Sequence, residues 1–281
     1  MSYRTPLEAR IAKRATKAII DYGLIEDGDR IMVGLSGGKD SWALFQILDV
    51  LRRRAPIDFS LVAVNVNSGY TNFRHDVVTK ACAERGWELH VEHTTIGAVM
   101  DDVLEDGDTP CSLCARLRRG VLYRLAASVG ATKIALGHHL DDFVETLLLN
   151  LFFQGKLKAM PARLVSDNKK HIVIRPLVFV TEADARAYTQ ENGLPVIGCC
   201  CPACGDLSLK RQRLKRMIAE FELEHPDVKS SMMAAMSDVV PAHLLDRRLN
   251  PVPEIARGHG RSRLSRVEIE VPEAGESVSE A

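Results

Sequence analysis

The segment Ser-Gly-Gly-Lys-Asp-Ser at 36–41 lies between two different hydrophobic patterns. The apolar run at 30–35 predicts a buried strand, whereas apolar residues at helical spacing over 42–54 predict a helix. A strand, a glycine-containing turn and a helix N-terminus in this order form an anion site, because backbone N–H groups and the helix dipole face the ligand. Lys39 adds a positive charge. We therefore predict that this turn binds phosphate.

The spacing within this segment differs from that of a Walker A loop. A Walker A loop has the pattern G-x-x-x-x-G-K-[ST], whereas here two glycines are adjacent and Asp40 follows the lysine. The alternative is a glycine turn that only joins a strand to a helix, but six specified residues in this context favour a phosphate loop. The predicted nucleotide-binding residues of the loop are Ser36, Gly37, Gly38, Lys39, Asp40 and Ser41.

Strand and helix patterns alternate along most of the chain. The predicted strands cover 31–35, 61–66, 88–91, 133–137 and 171–176. The predicted helices cover 7–22, 41–54, 74–85, 114–129, 141–153, 182–192, 207–223 and 229–240. This alternation predicts an α/β protein with a doubly wound parallel sheet and a small helical C-terminal region. Ligands bind at the carboxyl ends of the strands in such sheets, where the phosphate loop would lie.

The predicted domain organisation has four parts. A basic helix occupies 1–28, the nucleotide-binding domain 29–195, and a cysteine-containing helical region 196–255. The segment 256–281 has no apolar periodicity, and we expect it to be a disordered tail.

The composition is that of an ordinary globular protein, with 46% hydrophobic residues and a formal net charge of zero. The overall charge gives no argument for nucleic acid, so any RNA contact must use local basic patches. No apolar run approaches the roughly 20 residues that span a bilayer, and the N-terminus lacks the apolar region of a secretory signal. We expect a cytoplasmic protein that does not contact membranes.

The cysteines are unusually clustered, since six of the seven fall into two groups. The first group is Cys111-Ser-Leu-Cys114, and the second, about 90 residues later, is 199–204. Paired Cys-x-x-Cys motifs can bind zinc through four thiolates, whereas three thiolates can hold a [4Fe–4S] cluster with one iron open. A redox-active dithiol is the third alternative. The spacing alone leaves these alternatives open, although zinc sites are commoner.

Several motifs in addition to 36–41 carry a family resemblance. They are CSLCARLRRG at 111–120, ATKIALGHHLDD at 131–142, HIVIRPL at 171–177, and a Cys-x-x-Cys-Gly that ends at Gly205. In this order they resemble the tRNA 2-thiocytidine synthetases, which thiolate cytidine 32 of tRNA and belong to the PP-loop ATP pyrophosphatases. The resemblance implies an adenine nucleotide alpha hydrolase-like fold and an enzyme that adenylates its target base.

The resemblance also implies cofactors and partners. A [4Fe–4S] cluster would be bound by Cys111, Cys114 and Cys204, with Cys201 as the rival for the third position. ATP would bind the loop at 36–41 together with Mg²⁺. The expected partners are tRNA and a cysteine desulfurase that donates sulfur, and we expect a homodimer.

Four further residues are candidates for roles at the site, Asn65 because of the same resemblance and the others because of their positions beside these motifs. Asn65, at the end of the second strand, and Gly137 would lie beside the nucleotide. Asp142 is the candidate for contact with Mg²⁺–ATP, and Arg118 the candidate for stabilising the charge of the adenylate. Together with Lys39 these two form the expected catalytic set.

One departure from the family pattern keeps alternatives open. The segment 67–74 lacks the acidic, lysine- and proline-containing sequence that usually follows this strand. The target base could therefore differ, as in a uridine thiolase or a lysidine-type ligase. A zinc-stabilised RNA- or nucleotide-binding module without catalysis is the alternative from another class. Basic patches such as 210–216 favour tRNA only in combination with the resemblance.

Overall fold

The structure is a computed structural model that describes residues 3–70, 73–103, 110–166, 169–198 and 210–251. The helices in these ranges are α1 Pro6–Asp21, α2 Lys39–Arg52, α3 His75–Arg85, α4 Ile96–Val103, α5 Pro110–Ser128, α6 Leu140–Gln154, α7 Glu182–Glu191, α8 Lys210–Glu224 and α9 Val228–Ser237. The strands are β1 Asp29–Gly34, β2 Phe59–Asn67, β3 Leu89–His93, β4 Lys133–Ala135, β5 Arg163–Val165 and β6 Ile172–Ile174.

The strands of the described ranges form one sheet in the order β3-β2-β1-β4-β6-β5. The neighbours from β3 to β6 pair in parallel, as the alternating pattern predicts. The strand order reverses between β1 and β4, so the loops after these two strands diverge and leave a crevice at their carboxyl ends. The predicted α/β fold is confirmed, and the phosphate loop follows β1 at this crevice.

The edge strand β5 corrects one expectation. The sequence predicts a basic, mobile loop over 155–170, but Arg163–Val165 pairs antiparallel with β6. A strand of three residues is too short to show alternation, and its pairing partner comes later in the chain. The sheet is therefore parallel with an antiparallel edge.

Helix α4 is a second element that the sequence analysis did not identify. Its residues Ile96 and Met100 are buried against Val121 of α5. The helix spans eight residues, so the apolar pattern is too short to separate it from a loop.

Helix α2 anchors the phosphate loop in the core. Its residues from Ser41 to Asp49 are all buried, and the indole of Trp42 donates to the carbonyl of Pro195 at 2.9 Å. Helices α1 and α7 pack against it, joined to each other by ion pairs from Arg10 and Arg14 to Asp184. The N-terminus of α2 is thus held rigidly at the crevice.

The chain divides into two compact units, Met1–Ala234 and Ala235–Ala281. In the second unit the side chain of Asn250 donates to the carbonyls of Pro241 and Leu244. The predicted boundaries at 28/29 and 195/196 stay predictions, and the tail at 256–281 lies outside the described residues. Across the described ranges, no helix is both long enough and apolar enough to cross a membrane.

Candidate active site

The phosphate loop forms the turn that its sequence predicts. Gly37 has φ +84°, in the left-handed region that favours glycine, and its carbonyl accepts a hydrogen bond from Ile197 N–H at 2.8 Å. The hydroxyls of Ser36 and Ser41 lie 3.1 Å apart, and Ser41 also donates to the Gly38 carbonyl at 2.9 Å. The loop is therefore closed by its own side chains at the first turn of α2.

A cavity of about 360 Å³ opens beside this loop at the carboxyl ends of β1, β2 and β4. Its size falls within the range of small-molecule sites. The predicted residues in its wall are Ser36, Gly38, Asp40, Ser41, Arg118, Gly137 and Asp142. Predicted residues from three separate parts of the sequence thus converge on one cavity, which we call the nucleotide cavity.

Lys39 is placed beside this cavity by two carboxylates. Its ammonium lies 3.0 Å from Asp40 Oδ2 and 2.9 Å from Glu182 Oε1 at the start of α7. Burial alone would lower the pKa of Lys39, but the hydrogen bond that its ammonium donates to Glu182 and the charge of Asp40 raise the pKa above its usual value. Lys39 is therefore fully charged. Glu182 was not predicted, because no motif surrounds it.

Asp142 lines the nucleotide cavity and also caps its helix. Its Oδ2 accepts the backbone N–H of His139 at 3.1 Å, and Arg211 lies 3.8 Å from its Oδ1. The neighbouring Asp141 is buried instead, where it accepts from the Glu182 N–H and pairs with Lys229, both at 2.7 Å. The two adjacent carboxylates therefore differ. Asp142 faces the cavity, whereas Asp141 connects α6 to α7 and α9.

The buried ring of His139 lies among carboxylates. Its Nε2 is 3.6 Å from Asp40 Oδ1 and 3.5 Å from Asp142 Oδ2. Burial works to lower the pKa of His139, but the Asp141 carboxylate, 3.5 Å from Nδ1, and the charges of Asp142 and Asp40 give a net increase. The imidazole links the phosphate loop to α6, a role that sequence reasoning did not find.

Asn65 supports the loop from outside the cavity. Its side chain is fully buried and donates from Nδ2 to the Leu35 carbonyl at 2.7 Å. The adjacent residues Val64 and Val66 line the cavity, because alternate residues of a strand face opposite sides. A contact between the Asn65 backbone and adenine stays a prediction.

Arg118 connects α5 to the end of β2. Its guanidinium donates to Ser68 Oγ from Nε at 3.2 Å and from Nη2 at 2.9 Å. The segment 67–74, which departs from the family pattern, therefore includes Ser68, a residue that orients a predicted catalytic arginine. Nothing in the sequence alone indicates this contact.

The first cysteine pair lies on the same helix as Arg118. Cys111 and Cys114 are one turn apart on α5, and Arg118 follows one turn later, which is a rise of roughly 6 Å from Cys114. Cys114 is half-buried near Ile96 and Met100. The side chain of Cys111 and all of Cys204 lie outside the described residues, so their convergence stays a prediction. Cys82 is a buried core residue, and burial raises its pKa to about 11.

Comparison with known proteins identifies the family. Residues 7–220 match the model of the PP-loop domain. The tRNA-cytidine(32) 2-sulfurtransferase of Geobacter metallireducens is 50% identical over 246 residues, which cover 88% of this chain and 96% of that protein. The chain belongs to the tRNA-cytidine(32) 2-sulfurtransferase family. The Geobacter sulfurreducens member is 49% identical with the same coverage, so the resemblance found in the sequence is confirmed.

A solved structure shares the fold of this tRNA-cytidine(32) 2-sulfurtransferase family member. The U34-tRNA thiolase NcsA from Methanococcus maripaludis, determined with its [4Fe–4S] cluster, superposes with a TM-score of 0.69. The match covers 88% of this chain and 81% of that chain at 23% identity. At this identity the likeness shows the common α/β fold alone.

Proposed function

We propose that this protein thiolates cytidine 32 of tRNA to 2-thiocytidine in an ATP-dependent reaction. The observation that carries the proposal is the identity of about half the residues to tRNA-cytidine(32) 2-sulfurtransferases over 88% of the chain. The nucleotide cavity supports it, because the phosphate loop, Arg118 and Asp142 line one space.

The reaction divides into two steps. Cytidine O2 attacks the α-phosphorus of ATP, the bond to pyrophosphate breaks, and an O2-adenylated base forms. A sulfur nucleophile then attacks C2, and the C2–O2 bond breaks as AMP leaves. Both steps need negative phosphates to be held beside an uncharged base.

The phosphate loop supplies the anion site for ATP. The N–H groups at the start of α2 and the hydroxyls of Ser36 and Ser41 can donate to pyrophosphate oxygens. Lys39 adds charge beside them, and the apolar side chains of Val64 and Val66 suit the adenine ring. The guanidinium of Arg118 can stabilise the charge that develops as pyrophosphate leaves.

Carboxylates of the cavity fit Mg²⁺. The Oδ1 atom of Asp40 is buried and accepts no hydrogen bond from the described residues. Asp142 contributes a second carboxylate to the same wall. Mg²⁺ favours such oxygen ligands together with phosphates, and it would offset phosphate charge during the attack. Asp40 and Asp142 are therefore the proposed ligands.

Thiolates are the donors that a [4Fe–4S] cluster requires, and Cys111, Cys114 and Cys204 are the proposed set. The cluster would supply the sulfur for the second step. Cys114 precedes Arg118 by one helical turn, so this one of the proposed ligands lies close to the wall of the nucleotide cavity. We further propose that a cysteine desulfurase persulfide provides the sulfur, with two electrons from an external reductant.

The basic stretch of α8 divides between the site and the surface. Arg211 and Lys215 pair with the buried Glu145 at 3.2 and 3.4 Å. These two charges therefore neutralise a buried carboxylate of α6. Lys210, Arg213 and Arg216 are exposed and remain candidates for tRNA phosphates. We propose that the protein acts on tRNA in the cytoplasm as a homodimer.

Mass spectrometry of tRNA nucleosides tests the proposal. Deletion of the gene is expected to remove 2-thiocytidine, and wild-type protein is expected to restore it. The variant Lys39→Ala is not expected to restore 2-thiocytidine. The control is Lys80→Ala, which is expected to restore it, because the side chain of Lys80 on α3 is 80% exposed. Unchanged 2-thiocytidine, or loss of a thiolated uridine instead, would contradict the proposal.

A further inference from the structure

A second cavity of about 310 Å³ adjoins the nucleotide cavity. The two share four wall residues, which are Arg118, Leu122, Leu136 and His138. A ligand in the second cavity therefore has only these side chains between it and a nucleotide. The reaction proposed above requires such a neighbour, because cytidine O2 must reach the α-phosphorus of ATP.

The polar part of this second cavity is built around His138. Its Nδ1 accepts a hydrogen bond from Arg175 Nε at 3.2 Å, and Arg175 Nη1 donates to the Pro161 carbonyl at 2.7 Å. Burial, followed by the charge of Arg175, lowers the pKa of His138 to about 4, so the ring is neutral. With Nδ1 accepting, the ring proton is on Nε2. His138 thus presents a neutral N–H donor.

The rest of the wall suits a flat aromatic ring. Met160, Leu164 and Val173 provide apolar surface, and the ring of Tyr123 is fixed by stacking on His171 with centroids 4.7 Å apart. Arg175 is 7% exposed as a residue, and its guanidinium is held by two partners, so the polar groups are preorganised. An apolar cleft with a few oriented donors is typical of a small-ligand pocket.

We propose, on the basis of the function proposed above, that this second cavity receives the target base and that His138 and Arg175 select cytosine there. Cytosine presents acceptors at O2 and N3, whereas uracil carries a hydrogen on N3. Donors directed at this edge bind cytosine and leave an N–H facing an N–H with uracil. Selective enzymes commonly discriminate through such buried polar groups. The base must leave its stack to enter, as is usual for enzymes that modify bases.

A variant that fills the cavity tests the location. Met160→Trp places a large ring in the wall opposite α5, and Leu157→Trp, in the same loop but 63% exposed and outside the cavity, is the matched control. We expect Met160→Trp to lower 2-thiocytidine formation at least tenfold while the Kd for ATP stays within twofold. The control Leu157→Trp is expected to match wild type in 2-thiocytidine formation and in the Kd for ATP. Normal thiolation by Met160→Trp would overturn the assignment.

A binding measurement separates this inference from the proposed activity. Anticodon stem-loops that carry cytidine or an abasic site at position 32 are titrated against the holoenzyme. Wild type and Leu157→Trp are expected to bind the cytidine form more tightly, and Met160→Trp is expected to lose that difference. If wild type makes no 2-thiocytidine but binds the cytidine form more tightly than the abasic form, the proposed activity is wrong and the proposed base pocket is supported. A difference retained in Met160→Trp overturns the pocket.

Selectivity tests the role of His138. Transcripts with cytidine or uridine at position 32 are thiolated by wild type and by His138→Ala, and the two rates are compared. We expect the ratio of cytidine to uridine rates to fall at least tenfold in the variant. A weaker affinity for ATP would lower both rates and would leave this ratio unchanged, so the ratio reports on base selection. An unchanged ratio would show that His138 is only structural.

Discussion

Gly137 packs directly against the backbone of Asp40, so that a Cβ at residue 137 would lie 2.9 Å from both the carbonyl carbon and the oxygen of Asp40. This contact joins the end of β4 to the first turn of α2. Since the opposing atoms are backbone, the only relief is a shift of the helix N-terminus that forms the anion site. Gly137 is therefore required for the geometry of the phosphate loop.

The first prediction follows from this contact. Gly137→Ala is expected to raise the Kd for ATP at least tenfold, as measured by isothermal titration calorimetry. The control is Gly120→Ala on α5, where the added Cβ meets open space. The control should keep its ATP affinity and gain about 0.5–1 kcal/mol in the free energy of unfolding, because alanine favours the helix. ATP binding by Gly137→Ala within twofold of wild type would contradict the packing argument.

The second prediction concerns the proposed cluster. Cys111→Ala is expected to lose bound iron and thiolation activity after anaerobic reconstitution, with ATP binding preserved. Cys82→Ala is the control, because this buried thiol lies on α3 outside both cysteine groups. Iron and sulfide analysis together with visible absorption provides the measurement. Thiolation retained by Cys111→Ala would remove it from the ligand set.

The third prediction concerns stability at the amino ends of the strands, on the side of the sheet opposite the nucleotide cavity. Lys133, whose side chain is 2% exposed, lies 2.7 Å from Asp29 Oδ2. Lys133→Met leaves this buried carboxylate without its cation, and losing one partner of a buried pair typically costs about 3–5 kcal/mol. Urea denaturation should show that the free energy of unfolding falls by about 3 kcal/mol, the lower end of this range, because Thr132 still donates a hydrogen bond to Asp29. Lys133→Met with Asp29→Leu should recover part of the loss, and an additive double variant would contradict the pairing.

The phosphate loop could be predicted from sequence because its structure is local. The turn at Gly37, the hydroxyls and the start of α2 all lie within six consecutive residues, and the flanking apolar patterns determine their placement. The order of strands follows from the alternation of elements. Asp142 could be placed at the carboxyl ends of the strands because its motif follows a predicted strand, whereas Arg118 was a candidate only through its position four residues after Cys114.

Other features could not be predicted because they depend on distant partners. Glu182 reaches Lys39 only after α7 packs on α2, and Lys133 meets Asp29 only when β4 pairs with β1. The strand β5 exists through its pairing with β6. The pairing of Arg175 with His138 likewise needs β6 beside β4. None of these residues has a local pattern that distinguishes it from solvated charge.

The last prediction is the pH dependence that Glu182 gives to stability. Burial works to raise the pKa of Glu182, but the hydrogen bond and charge of Lys39 and the charge of Lys215 lower it to about 2. Because the folded pKa is below the unfolded value of 4.5, this stabilisation is complete above pH 4.5 and is lost as the pH falls toward 2.

Glu182→Gln should therefore lower the free energy of unfolding by about 1–2 kcal/mol at pH 6, and the difference from wild type should shrink below pH 4.5. Urea denaturation at pH 6, 5, 4 and 3 provides the measurement. Glu224→Gln, an exposed position at the end of α8, controls for the loss of one charge. A difference between wild type and Glu182→Gln that is constant over this range would contradict the lowered pKa of Glu182 and a stabilising charge pair with Lys39.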